Sequence, residues 1–390
     1  MKKLLFIIFI LFLTVPCFSQ NTKQKYLKGN LLEKTNILKE ALDDDRYWLS
    51  KQAINFVYEN FEIFSDDRDF ENFAITAIYS IPDFNVTQNI SKTDYEQFGN
   101  ILHLIYKTYK PNSNIKCAIL SKYSSLKAHF PTNDFVNDIN LELQNSYNSF
   151  IDKNLYYSII TTLGIIGNNN SFVLLFDDYA KNKSSLYREE IKTSLTNLIP
   201  TSMEEFLKLI HSKDFTYLRA TYSLINENSK IFQNNLSEIA ENLLNESILY
   251  MSVATENNEE LIAIQLGALR ILNEKKCTRA ASSVISYFEV CKQQFNKNLI
   301  SKDEFIEVVN TLGNLAPISS VSPLVNYLEE INKLVENGSD VSYDVVMSVI
   351  KTLGSIGDKT AFDCLLAVTY LNYPDYVLSA TREALAGLKW

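Results

Sequence analysis

The stretch "KTLGSIGDKTAFDCLLAV", residues 351–368, has the pattern of one helix ending, a tight turn, and a second helix beginning. Two similar stretches precede it: "TTLGIIGNNNSFVLLF" at 161–176 and "NTLGNLAPISSVSPLV" at 310–325. Each contains a Leu-Gly pair, and an aliphatic residue follows two positions after the glycine. A corner that recurs with the same residues predicts a repeated pair of helices.

Weaker copies of this corner can be placed along the chain. The Leu-Gly anchors and their weaker copies are Ile78, Leu163, Leu195, Leu224, Leu269, Leu312, Leu353 and Leu385. From Leu163 onward they lie 32, 29, 45, 43, 41 and 32 residues apart. Spacings of this size are typical of a solenoid, in which stacked helix pairs bury the apolar stripes that a single pair leaves exposed.

The helix before the last corner shows why its residues recur. From Val341 to Ile356 the apolar positions advance by four, four, four and three residues, which places them on one face of a helix. The absent side chain of Gly354 would let the next helix approach closely. Gly357 can adopt the left-handed conformation that ends a helix.

Composition supports an all-α fold. The chain has 390 residues, of which 46% are hydrophobic and 21% charged, so it can bury a core. It contains only 10 glycines and 8 prolines. Average usage would give roughly three times as many glycines, and the shortage favours helices joined by short corners over a sheet-containing fold.

Helical periodicity and turn residues together give a helix map. The predicted helices are 31–42, 46–61, 69–81, 92–108, 115–128, 134–146, 153–166, 171–182, 187–199, 202–212, 215–226, 230–247, 258–272, 277–293, 301–315, 320–336, 341–356, 359–371 and 375–388. Capping boxes are predicted at Ser202/Glu205 and Ser301/Glu304. The acidic runs 43–45 and 66–69 are interpreted as helix caps rather than calcium ligands.

At this point the repeat resembles a known family. The pattern V-x-x-A…A-L-G-x-I-G-D-x-x-A followed by leucines is similar to bacterial HEAT repeats, including the phycobilisome-lyase-like HEAT proteins. "DYVLSATREALAGL" at 375–388 fits its first helix, although Leu378 stands where the family has arginine. The resemblance implies a HEAT-like superhelix, with divergent helical repeats over 20–150 and clear repeats over 151–390.

Residues 1–19 have the pattern of a secretory signal peptide. Lys2 and Lys3 precede an apolar run that extends from Leu4 to Val15. That run would span about 18 Å as a helix, which is too short for a ~30 Å hydrocarbon core. Cleavage after Ser19 would give a periplasmic or secreted protein that begins at Gln20. Lipidation at Cys17 is the alternative.

The charge of the chain argues against nucleic acid as a partner. The formal net charge is −9, and loss of the two lysines within residues 1–19 would leave 35 basic against 46 acidic residues, a net charge of −11. A protein that binds the phosphate backbone usually carries the opposite sign. No apolar segment after residue 19 is long enough to span a membrane.

Four cysteines follow the signal segment: Cys117, Cys277, Cys291 and Cys364. Export permits disulfides, and the sequence leaves their pairing open. Cys277 and Cys291 are predicted on one helix about 21 Å apart, which is too far for a bridge. We interpret the four as buried thiols.

No catalytic or metal-binding motif is present. His103, His129 and His211 lie far apart, and the zincin, P-loop, dinucleotide-binding and nucleophile-elbow patterns are absent. The sequence therefore predicts no catalytic residue, no metal, no cofactor and no enzymatic activity.

Tyrosines on the second helix of each pair are the candidate partner-binding residues. Tyr179, Tyr287 and Tyr327 lie on predicted second helices together with Glu330. The HEAT resemblance implies that second helices line the concave face. We therefore predict that these side chains are accessible and that Leu269, Leu312 and Leu353 are not. The alternative is that the tyrosines pack between repeats.

These observations predict an exported, non-enzymatic scaffold that binds a protein or peptide through its concave face. Two alternatives remain: an enzyme-associated or lyase-like HEAT protein, and a structural subunit of an envelope assembly. The sequence does not identify the partner.

Overall fold

The fold is known from a computed structural model of the chain. It describes residues 22–64, 66–83, 90–108, 113–146, 152–227, 231, 233–251 and 258–389. The predicted signal peptide and Cys17 lie outside these residues. Within the described ranges the regular structure is helical, and the one β-bridge joins Asp358 to Lys389. None of the helices in these ranges is long and apolar enough to cross a membrane.

Residues 22–28 are helical, and eighteen α-helices follow them in the described part of the chain. These are α1 (Leu31–Lys39), α2 (Asp43–Asn60), α3 (Arg68–Ser80), α4 (Lys92–Thr108), α5 (Ser113–Ser125), α6 (Asn133–Ser146), α7 (Lys153–Ile166), α8 (Asn169–Lys181), α9 (Arg188–Ile210), α10 (Phe215–Asn226), α11 (Gln233–Met251), α12 (Asn258–Glu274), α13 (Ala281–Asn296), α14 (Lys302–Leu315), α15 (Val321–Glu336), α16 (Tyr343–Ile356), α17 (Phe362–Val368) and α18 (Asp375–Ala386).

The helix map is largely confirmed. The observed bounds fall within four residues of the predicted ones, apart from the two helices predicted over 187–199 and 202–212. Those two form the single kinked helix α9, in which Ser202 has the non-helical angles φ −118° and ψ 21°. Pro200 lies two residues before the kink. A proline inside a helix removes one backbone hydrogen bond and bends the helix.

The chain divides into two compact units, Met1–Ser202 and Met203–Trp390, which we call the N-terminal unit and the C-terminal unit. This division differs from the one proposed at residue 150, which rests on repeat similarity rather than compactness and stays a prediction.

In both units most helices pack on one neighbour in sequence and on a helix two places further along the chain. In the N-terminal unit α1, α3, α5 and α7 form a first row, and the contacts of α2 with α4 and of α6 with α8 form a second row. In the C-terminal unit the first row is α10, α12, α14, α16 and α18, and α11, α13, α15 and α17 lie in the second. Each unit is thus an all-α solenoid of stacked antiparallel helix pairs, as predicted.

The Leu-Gly corners form the contacts between successive helices of the first row. Leu269, Leu312 and Leu353 are buried, as predicted. A Cβ atom on Gly354 of α16 would lie 2.7 Å from the Cβ of Ala384 on α18. Gly164 of α7 meets Ser194 of α9 in the same way, with 2.6 Å between the corresponding Cβ positions. The glycine therefore recurs because a larger residue would push the next helix away.

The predicted helix ends are confirmed in part. Ser301 and Glu304 form the predicted capping box, and Gly357 ends α16 at φ 73°. Asp67 caps α3 by accepting bonds from the backbone N–H groups of residues 69 and 70. The box predicted at Ser202 is wrong, because the Ser202 hydroxyl donates to Asn169 and Glu205 pairs with Lys208.

Candidate binding face

The three candidate tyrosines are buried, so the prediction that they are accessible is wrong. Tyr179, Tyr287 and Tyr327 are 2%, 0% and 7% exposed. Each lies on a second-row helix, as predicted, but within the apolar stripe of that helix. On α13 the buried positions include Val284, Tyr287, Phe288 and Cys291, which are spaced three, one and three residues apart.

Aromatic packing surrounds Tyr327. Its ring meets the rings of Phe288 and Phe305 edge-on, with centroids 5.8 and 5.5 Å apart. The hydroxyl of Tyr287 lies beside the Cys291 thiol, and burial raises the pKa of both groups, that of Cys291 to about 12. These tyrosines are core residues between repeats, the alternative that the sequence had left open.

Glu330 is exposed on α15, as predicted. Its neighbour Glu329 is exposed too, and Glu289 on α13 pairs with Lys292 at 2.7 Å. The outer surface of these two second-row helices therefore carries acidic side chains over an aromatic interior.

The second row of the N-terminal unit is built differently. We call the outward surface of α2, α4, α6 and α8 the second-row face. Between α2 and α4 the Tyr47 hydroxyl donates to Asp94, and Lys51 lies 3.6 Å from the same carboxylate. Ser91 also donates its hydroxyl to Asp94, at 2.6 Å. These hydrogen bonds hold the pKa of Asp94 below its ordinary value, and the bond from the Ser91 hydroxyl contributes most to this lowering.

Polar pairs also join α4 to α6. His103 Nε2 lies 2.7 Å from Asp138, and the Tyr106 hydroxyl donates to Glu142 at 2.5 Å. Lys116 of α5 donates to the other oxygen of Glu142 at 2.7 Å. These pairs satisfy groups that the helices partly bury, and they fix the position of α4 against α6.

A cleft of about 440 Å³ lies between α6 and α8. We call it the amide cleft, after its lining residues: Asn137, Asn140, Leu141, Gln144, Asn170, Val173 and Leu174. Its volume lies within the range typical of ligand sites, about 300–1,000 Å³. None of the lining side chains carries a charge. Leu141 is 55% exposed, and Asn137, Gln144 and Asn170 are exposed as well.

The floor of the amide cleft is fixed by hydrogen bonds. Asn140 and Ser171 are buried, and the Ser171 hydroxyl donates to Asn140 Oδ1 at 2.9 Å. Asn140 Nδ2 lies 3.4 Å from Asn168 Oδ1, which caps α8. The exposed amides on either side keep both a donor and an acceptor available to a ligand.

No group of three or more metal-binding side chains occurs among the described residues. Cys117, Cys277, Cys291 and Cys364 are free thiols, of which only Cys291 and Cys364 are fully buried. Burial raises the pKa of Cys117 and brings that of Cys364 to about 12, whereas an activated thiol has a lowered pKa.

Comparison of the chain with protein-family models, with curated proteins and with solved structures found no match. The interpretation of the face therefore rests on the residues of this chain.

Sequence reasoning missed the amide cleft, although a signal was present. On α6 the buried stripe contains Phe135, Ile139 and Leu143. Leu141 falls between the last two, on the other side of the helix, with Asn137 and Gln144 beside it. An aliphatic residue outside the stripe and flanked by amides marks the uncharged surface that this side of α6 contributes to the cleft.

Proposed function

We propose that the chain is an exported HEAT-like scaffold that binds a protein or peptide partner along the second-row face. The observation that carries the proposal is the amide cleft, an uncharged concave surface on a stack of helix pairs. Helical solenoids offer such extended surfaces to partner chains. In HEAT proteins, which the repeat resembles, the second helices line the concave side.

Two further observations support a binding role. Leu104 and Leu141 are exposed on α4 and α6, so the second-row face carries apolar side chains beside polar ones. The polar pairs below them fix the helices, which keeps the surface ready for a partner at low entropic cost. The raised pKa of the Cys117 thiol argues against a nucleophilic role for this cysteine.

Site-specific photo-crosslinking in the producing cell tests the proposal. A photoreactive phenylalanine analogue would replace Leu104 or Leu141 on the second-row face. The matched controls are Tyr79 of α3 and Tyr157 of α7, which are exposed on first-row helices. We expect a discrete adduct of one mass from both second-row positions and none from the controls. Adducts from the first row alone, or from no position, would contradict the proposal.

Export is tested separately by sequencing the N-terminus of the mature protein. The proposal expects Gln20 as the first residue and the protein outside the cytoplasm. A cytosolic chain that retains Met1 would contradict export but would not contradict the binding role.

A further inference from the structure

We propose that the amide cleft binds an extended, uncharged polypeptide segment through the backbone of that segment. This inference rests on the proposed function. It specifies which kind of partner segment binds at one place on the second-row face, the amide cleft. Three properties of the cleft support it: its charge, the spacing of its amides and the position of its aliphatic residues.

The charge of the cleft selects against ionised ligands. The seven lining side chains are amides or aliphatic groups, in a chain whose net charge is −9. An ion brought into this cleft would lose water without gaining an opposite charge from the lining residues, which is unfavourable. The occupant is therefore neutral where it touches the cleft.

The amide spacing fits a peptide backbone. Asn137 and Gln144 are seven residues apart on α6, so they lie about 10.5 Å apart along the helix axis. An extended chain covers that distance in about three residues, at about 3.3 Å each. Each amide can accept from a peptide N–H and donate to a peptide C=O. Asn170 provides a third amide from α8, on the opposite wall.

The aliphatic residues lie between these amides. Leu141 follows Asn137 by four positions and precedes Gln144 by three, so it lies on the same side of α6. Val173 and Leu174 face it from α8 across the cleft. A small or aliphatic side chain of the bound segment would cover the exposed Leu141 at this point. The lining includes no aromatic ring on which a sugar could stack.

Binding of short peptides to the full mature chain tests this inference. The probes are hexapeptides with acetylated N-termini and amidated C-termini. One set contains only Ala, Val, Leu, Ser, Thr and Gln, and the matched set has Lys or Glu at the two central positions. We expect members of the uncharged set to bind, and their charged counterparts to bind at least tenfold more weakly.

Matched variants assign the binding to the cleft. Asn137→Ala with Asn170→Ala should weaken binding of the uncharged peptides about tenfold, because two side-chain hydrogen bonds are lost. Both residues are exposed, so the melting temperature should not change. The control is Asn100→Ala with Asn326→Ala, which removes two exposed amides outside the cleft and should leave binding unchanged.

Three results would overturn the inference: equal binding of both peptide sets, full binding by the cleft variant, and binding of a chitin oligosaccharide in place of peptides. The proposed function fails by a different result, which is the loss of photo-crosslinks at both Leu104 and Leu141. If Leu104 forms crosslinks but the chain binds charged and uncharged peptides equally, the proposal of a scaffold is retained. The amide cleft is then rejected as its peptide site.

Discussion

Second-row tyrosines of the two units take part in different contacts, although Tyr179 of α8 is a core residue like those of the C-terminal unit. In the N-terminal unit the hydroxyls of Tyr47 and Tyr106 donate to carboxylates of the next second-row helix. In the C-terminal unit the ring of Tyr327 packs against Phe288 and Phe305. The first arrangement joins neighbouring helices by polar pairs, and the second fills the space between them with rings.

This difference shows that a tyrosine on a second helix is not by itself a contact residue. Tyrosine is amphipathic, so it satisfies either a polar pair or an apolar stripe. Two things decide which of these contacts a tyrosine makes. One is the face of its own helix on which it lies, and the other is the residue opposite it on the next helix. Binding surfaces are therefore better sought among residues that lie outside the buried stripe, such as Leu141.

The largest expected effect tests the core role of the C-terminal tyrosines. Tyr287→Ala together with Tyr327→Ala should lower the free energy of unfolding by several kcal/mol, because large buried side chains cost about 3–5 kcal/mol each when truncated. Urea denaturation of the mature chain measures this change.

The control for that variant uses exposed tyrosines of the same unit. Tyr370→Ala with Tyr376→Ala should change the free energy of unfolding by less than about 0.5 kcal/mol for each residue. If the buried pair proved as tolerant as the exposed pair, the aromatic core would not hold these helices together. The comparison between the two units would then fail.

A smaller effect is expected at the Leu-Gly corners. A Cβ on Gly313 would lie 2.3 Å from the Thr352 methyl group, whereas the Thr352 Cβ is 3.7 Å away. Gly313→Ala should therefore destabilise the C-terminal unit by about 1–3 kcal/mol. Adding Thr352→Ala removes the clashing methyl group and should recover part of the loss in a thermal melt.

Gly164 of the N-terminal unit provides the contrasting case. A Cβ there would lie 2.7 Å from the Cα of Ser194, which no side-chain substitution can move. Gly164→Ala should thus destabilise the chain, and Ser194→Ala should not restore the loss. The second substitution could instead restore stability at both corners, or at neither. Either result would show that the two corners do not differ in whether a side chain or the backbone blocks the added Cβ.

Much of the fold follows from the sequence because the corners leave little choice. Gly354 and Gly164 are required where backbones approach closely, and the four-residue spacing of Val345, Val349 and Leu353 sets the buried face. These are local properties, so one copy of the repeat predicts the next.

The binding face could be predicted only in part. The pair of His103 and Asp138 is 35 residues apart in sequence, and its contact depends on how α4 and α6 stack. Helical periodicity places each residue on a face of its own helix and does not give the offset between neighbouring helices. The tyrosines were misplaced for another reason. The four-residue steps from Val284 to Phe288 and from Tyr287 to Cys291 already place Tyr287 within the apolar stripe of its helix.

The smallest expected effect concerns pH and the polar pairs of the N-terminal unit. The folded chain holds the pKa of Asp94 below its ordinary value of 3.8, chiefly through the Ser91 hydroxyl and then through Tyr47. A carboxyl group with a lowered pKa stabilises the fold above its unfolded pKa, and this contribution is lost as the pH falls through the folded pKa. Asp94→Asn should therefore cost about 1 kcal/mol at pH 7, the typical value of one such hydrogen bond. The difference from wild type should shrink below about pH 3.8, where the unfolded carboxyl is protonated.

Glu330→Gln, at an exposed position of the C-terminal unit, is the matched control and should show no such trend. A constant difference between Asp94→Asn and wild type across this pH range would mean that shape, rather than the charge of Asp94, holds α2 against α4.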